Sequence, residues 1–190
     1  MDVVESIRAA VLGHFGLSSA DSASVTFLGL EPIEILRIPD GEFVHYVTLG
    51  GARHPMTDPA AAVVDPERGP RAELVLTLRG GEPHGGLTRA LGVLIASPAV
   101  EGIVLQPDAL LDLGEPLWRN AAFTAVLLGP SDVPGPALPE PAEPVQFLAV
   151  SPITATEAAW VRLRGAPALR EAWAEAGIDV RDPGRGAANL

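Results

Sequence analysis

The chain has 190 residues, 47% of them hydrophobic, enough for one folded domain with its own core. It has no cysteine, and all 13 of its permanently cationic residues are arginine, so disulfides, thiolate metal sites, cysteine nucleophiles and lysine-dependent chemistry are excluded. A formal charge of −11 opposes contact with phosphate backbones; it serves either solubility or attraction to a basic partner.

Val4, Ile7, Val11 and Phe15 recur at three- and four-residue steps and predict an amphipathic first helix ending near Gly13–Gly16. Strand-like segments follow at Val25–Leu28, Ile33–Ile38 and Phe43–Leu49. The turn signal Pro39-Asp40-Gly41-Glu42 joins the last two into an antiparallel hairpin. Gly50 to Pro70 is rich in Gly and Pro, a long connection of the kind that is usually functional or mobile. Glu73–Arg79 alternates as a strand and is stopped by the glycine-dense stretch Gly80–Gly86. Leu87–Ser97 reads as a helix with Leu87, Leu91, Leu94 and Ile95 on its buried side. Ile103–Leu105 and Leu110–Leu113 are short extended pieces, and Phe123–Leu128 is a buried strand.

Residues 130–144 hold six prolines and predict a stiff, exposed connector. Val145–Val150 is another strand. Thr154 or Thr156 caps a helix running through Leu163, and Glu157, three residues after Thr154, suits a capping box. Pro167 opens a last helix that Gly177 ends. The expected fold class is α+β, a largely antiparallel or mixed β-sheet with flanking helices, in a single domain over 1–190. The N-terminus lacks a basic region followed by an apolar core, and the run Leu87–Leu105 is broken by Arg89, Pro98 and Glu101. A cytoplasmic location is therefore expected.

Chemistry-bearing patterns are sparse. No two of His14, His45, His54 and His84 have metal-ligand spacing, and no serine sits in a Gly-x-Ser-x-Gly elbow. Gly80–Gly86 follows a strand and precedes a helix but lacks phosphate-loop spacing and contains Glu82. Asp108, Asp112 and Glu115 form an acidic series that reads as a solvated rim. Trp118, in a loop-like setting beside Arg119, serves either recognition or core packing. No metal and no cofactor are expected.

His45–Gly50, Glu73–Arg79, Gly114–Leu117, the unit from Pro144 to Glu157 and the closing Asp182 and Arg185 stand in an order that resembles the suppressor of fused family, as a short bacterial-type member, over a core of about 33–185. The resemblance implies an α+β domain that binds other proteins through a sheet edge and neighbouring loops. Animal members restrain a transcription factor in Hedgehog signalling, a role not transferred to this much shorter chain. Bacterial relatives are proposed to be immunity proteins that neutralise toxins. Tyr46 falls on the family's His-Tyr position, Asp58 matches an acidic position, and Asp182 with Arg185 matches the closing pair, expected to pin the tail by a salt bridge.

The expectation is thus a non-enzymatic protein-binding domain. Tyr46 and Trp118 would anchor a partner, and Asp58, Asp108 and Asp112 would favour a basic one, such as a toxin domain, with Asp182 and Arg185 completing the partner-binding set. The alternative is a small hydrolase in which His45 or His54 meets a carboxylate only in the fold; oligomeric state is left open.

Overall fold

The computed structural model describes residues 1–82 and 84–190; Pro83, within the expected Gly80–Gly86 stop, lies outside the described residues. Helix α1, Val3–Phe15, starts at a capping box in which Asp2 caps and the Glu5 side chain accepts the Asp2 N–H, and it ends at a left-handed Gly16. Strands β1 (Asp21–Val25), β2 (Ile33–Asp40) and β3 (Phe43–Leu49) follow, then β4 (Arg71–Arg79), helix α2 (Leu87–Glu101), and β5 (Leu110–Asp112), β6 (Ala125–Pro130) and β7 (Val145–Ile153). Helices α3 (Ala155–Arg164) and α4 (Ala166–Ala176) close the chain.

All seven strands form one mixed sheet in the order β1-β2-β3-β4-β7-β6-β5. Every pairing is antiparallel except β4 with β7, where Arg71 to Leu76 run beside Val145 to Val150. The expected α+β class holds. A parallel pair needs a long crossover, and the chain from α2 through β6 supplies it.

Both faces of the sheet are covered. Ile33 and Ile35 of β2, with Tyr46, Leu74, Leu76 and Val150, pack under α2. Leu36, Ile38, Val47 and Val75 point the other way, against Val4, Ile7 and Val11 of α1. On that second face, Ala125, Leu127 and Ile153 meet α3 and α4 through Ala158, Val161, Leu169 and Trp173. Two helix groups thus share one face and leave a gap between them.

Several boundaries differ from expectation. The first strand is Asp21–Val25, not Val25–Leu28, because pairing with β2 runs from Asp21↔Arg37 to Val25↔Ile33. Phe27 has left the strand to lie against Gly92 of α2, where a β-carbon would meet its ring at 3.3 Å. Of the two short extended pieces, only Leu110–Asp112 joins the sheet; at Ile103–Leu105 the chain stays outside it, with Leu105 buried and its N–H donating to the Met56 sulfur at 3.2 Å. Helix α2 runs past Pro98 to Glu101. Proline has no N–H for the Leu94 carbonyl, and the Ser97 hydroxyl donates to that oxygen instead, at 2.6 Å. The proline-rich connector is mostly exposed but not free. Val133 is buried, and Gly135 lies so close to the Val145 carbonyl oxygen that a β-carbon would fall 1.5 Å from it.

Candidate functional site

The seven residues expected to bind a partner do not form one surface. Tyr46 on β3 is 7% exposed and Trp118 6% exposed; both belong to the core under α2, and the Trp118 ring lies 5.6 Å from that of Phe123. Neither ring reaches a partner while that core is closed. Asp108 pairs with Arg170 of α4, whose other nitrogen donates to the Leu128 carbonyl at 3.0 Å. Asp112, at the end of β5, pairs with Arg162 of α3 at 2.8 Å, and that guanidinium holds its carboxyl below the usual range. The two acids therefore fasten β5 to the helices. Asp58 is exposed, accepts the Ala60 N–H at 2.8 Å, and has no cationic partner among the described residues.

The expected Asp182–Arg185 salt bridge is replaced by a different one. Asp182 accepts the Gly184 N–H at 2.8 Å and shapes a turn. Arg185, 8% exposed, turns inward and bonds both oxygens of the fully buried Glu157 at 3.0 Å. Glu157 also accepts the Thr154 N–H at 2.9 Å, the Trp173 Nε1–H at 2.7 Å and the Ala188 N–H at 3.3 Å. Burial alone would push this carboxyl up; Arg185 and these donors outweigh it and hold it below the ordinary value. The capping box was visible in sequence, but nothing local marks the arginine that completes it.

A second buried carboxylate was missed. Glu73 on β4 accepts the Thr48 hydroxyl at 2.6 Å, the Gly50 N–H at 2.7 Å and the Ala52 N–H at 3.0 Å. It clamps the end of β3 and the single 3-10 turn at Gly51–Arg53. Complete burial outweighs these donors and pushes its pKa up to about 7.

The gap on the second sheet face is a polar cleft of about 380 Å³ between α1 and the segment after α4. His45 and Thr77, directly opposed on β3 and β4, form its floor with Ser151 of β7. His45 Nδ1 lies 2.7 Å from the Thr77 hydroxyl and Nε2 3.2 Å from Asp40, while the Phe15 ring covers one side of the imidazole at 4.7 Å. His54 is elsewhere, exposed and 2.9 Å from Glu31. Among the described residues no three histidines or acids gather as a metal cluster, and no helix is long and apolar enough to cross a membrane.

The remaining feature is the sheet's outer margin. β1 is an edge strand whose first four residues are exposed and which contains no proline. Beside it, two apolar depressions of about 450 and 490 Å³ lie along the outer side of α2 and meet at Leu30 and Ala96.

Fold and surface together define an α+β domain with a mixed seven-stranded sheet and an open strand at its edge. Residues 29–186 match the family model described as Suppressor of fused protein (SUFU), and the chain belongs to that family. No curated protein matches the sequence. Among solved structures, the chain is similar to a protein described as a SUFU homologue from Neisseria gonorrhoeae, at 18% identity and a TM-score of 0.67, covering 99% of this chain and 97% of that one. It is also similar to a chain of the Sufu–Fu complex, at 14% identity and a TM-score of 0.68 over 98% of this chain and 92% of that one. Drosophila Suppressor of Fused matches at 14% identity and a TM-score of 0.62; the chain covers 50% of its length. At these identities the likeness concerns the fold.

Proposed function

We propose that this domain works by binding a protein partner, adding an extended segment of it to the open edge of β1. One observation carries the reading: β1 is bare at the sheet margin, four of its five residues are exposed, and it has no proline to block pairing. Natural proteins normally protect such an edge, because its unpaired N–H and C=O groups template another strand. Family membership and the similarity to a chain of a complex support the same reading. The net charge of −11 and the unpaired Asp58 favour a basic partner, and neutralisation of a basic toxin domain in the cytoplasm, as an immunity protein, is the setting we propose.

The test is calorimetric titration of the purified protein with the product of the adjacent gene. In an antiparallel ladder, neighbouring residues point their N–H groups alternately inward and outward. One of Ser22→Pro and Ala23→Pro therefore removes an outward donor while sparing the β1–β2 ladder. That variant should fold and bind at least about tenfold more weakly. Unchanged affinity would remove the edge from the account, and no complex at all would remove the toxin setting.

A second reading, a small hydrolase, rests on the Asp40–His45–Thr77 alignment in the polar cleft. The Thr77 hydroxyl would attack an ester carbonyl while His45 Nδ1 takes its proton and Asp40 orients the Nε2–H. His45 would pass that proton to the departing alcohol, and a water deprotonated by His45 would then cleave the acyl–Thr77 ester, releasing the acid and restoring the hydroxyl. The same bonds also serve as a cross-strand pair and a hairpin tie, which is why binding is preferred. Turnover of a chromogenic ester that His45→Ala abolishes would favour the enzyme; turnover equal in both proteins, or none, would discard it.

A further inference from the structure

The outer side of α2 is built against the usual pattern of a surface helix. Between Arg89 and Glu101 it has no charged residue, and Val93, Ala96 and Val100, at steps of three and four, form an apolar stripe away from the sheet. The two depressions over this stripe join at Leu30 and Ala96 into one groove. Its rim carries bare apolar side chains: Leu28 is fully exposed, Val100 is 70% exposed and Val64 is 62% exposed. Patches of this kind on a folded domain mark interaction sites.

Charge selects the occupant. Of the groove's cations, Arg89 pairs with Glu115 and His54 lies against Glu31, while Arg53 donates to the Pro32 carbonyl and keeps its charge. Glu101 at one end has no cationic partner among the described residues, Asp58 accepts a backbone N–H, and Asp65 accepts two backbone N–H groups with the Arg68 charge nearby, so the acids of this rim outnumber its unpaired guanidiniums, Arg53 and Arg68. Backbone chemistry selects its conformation. The α2 main chain is hydrogen-bonded within the helix, so it offers no ladder to an extended segment, whereas a helix satisfies its own peptide groups.

We infer that this groove is a docking site for a basic amphipathic helix of a protein partner, distinct from the β1 edge. The inference rests on the protein-binding reading and adds a second contact to it. From Arg89 to Glu101 the groove is about 18 Å long, which accommodates about three turns. Leucines at helical spacing fill the apolar floor, and flanking lysines or arginines face Glu101, Asp58 and Asp65.

The experiment uses two labelled peptides of about fourteen residues and identical Leu/Lys composition, one patterned for a helix and one alternating for a strand. Fluorescence anisotropy with the full chain should show saturable binding of the helical pattern, at least about tenfold tighter than the alternating one. Val100→Asp and Leu28→Asp, both at exposed positions, should weaken that binding by a similar factor although each adds negative charge. Tighter binding to these variants, equal binding of both peptides, or no binding would overturn the groove. Preference for the alternating peptide, lost in the β1 proline variant, would also overturn it while leaving the edge reading standing.

Discussion

Two carboxylates decide how this domain is held together, and neither is on the surface. Glu157 accepts two bonds from Arg185, one from Trp173, and backbone N–H groups of Thr154 and Ala188, so it ties the start of α3, the middle of α4 and the tail to one point. Removing one partner of such a pair strands the other charge in the interior, a loss of about 3–5 kcal/mol. Arg185→Ala should therefore lower the unfolding free energy by that amount in urea denaturation, whereas Asp182→Ala should cost about 1 kcal/mol or less. Equal effects from the two would restore the pairing expected from sequence. Arg185→Met with Glu157→Met should recover only part of the loss, because Trp173 Nε1, Thr154 N and Ala188 N would still lack an acceptor.

At the scale of elements, α2 shows a local repair that can be tested by a cycle. The Leu94 carbonyl, deprived of a donor by Pro98, takes the Ser97 hydroxyl. Ser97→Ala should cost about 1 kcal/mol, the price of a buried acceptor left bare. Adding Pro98→Ala supplies the missing N–H and should return that stability. If the double variant stays as weak as Ser97→Ala in chemical denaturation, the hydroxyl is not what satisfies Leu94. The connector before β7 offers a second test. Gly135→Ala places a methyl against the Val145 carbonyl and should cost about 1–3 kcal/mol, while Gly81→Ala, with open space around it, should cost far less.

Elements were legible where the information is local. The β2–β3 hairpin, the Thr154–Glu157 capping box and the Gly16 and Gly177 stops are each specified by residues within a few positions, and they stand where the pattern puts them. β1 was misplaced because its boundary is set by register with β2, and Phe27 reads as strand until α2 is there to receive it. Trp118 reads as either anchor or core and Tyr46 as an anchor; both are buried, because the core cluster that encloses them is assembled from residues far apart in sequence. Arg185 and Glu157 are 28 positions apart and Thr77 is 32 from His45, so only the fold brings either pair together, whereas Asp40 and His45 already share the β2–β3 hairpin.

For the whole molecule, the charged groups pull stability in opposite directions as pH changes, and their sum predicts an optimum on the acid side of neutrality. Glu73 has a folded pKa of about 7 against 4.5 for an unburied glutamate, so the native state holds its proton more tightly than the unfolded chain. Its contribution is complete below pH 4.5 and is lost as pH rises to about 7, a change of about 3 kcal/mol. Glu157, Glu34, Asp112 and Asp179 have lowered folded values, so their contributions are complete above the ordinary carboxylate range and lost on acidification. Self-repulsion from a net charge of −11 also shrinks toward the pI near 4.7. The melting temperature should peak near pH 5 and fall on both sides, by roughly 6–12 °C toward neutrality from the ionisation of Glu73 alone. Glu73→Gln keeps an acceptor for the Gly50 and Ala52 N–H groups and presents its amide to a hydroxyl that can turn to accept it, while removing the titration. That variant should flatten the neutral limb and leave the acid limb in place. A wild-type melting temperature that is level from pH 5 to pH 7 would show that the donors around Glu73 keep it ionised despite its burial.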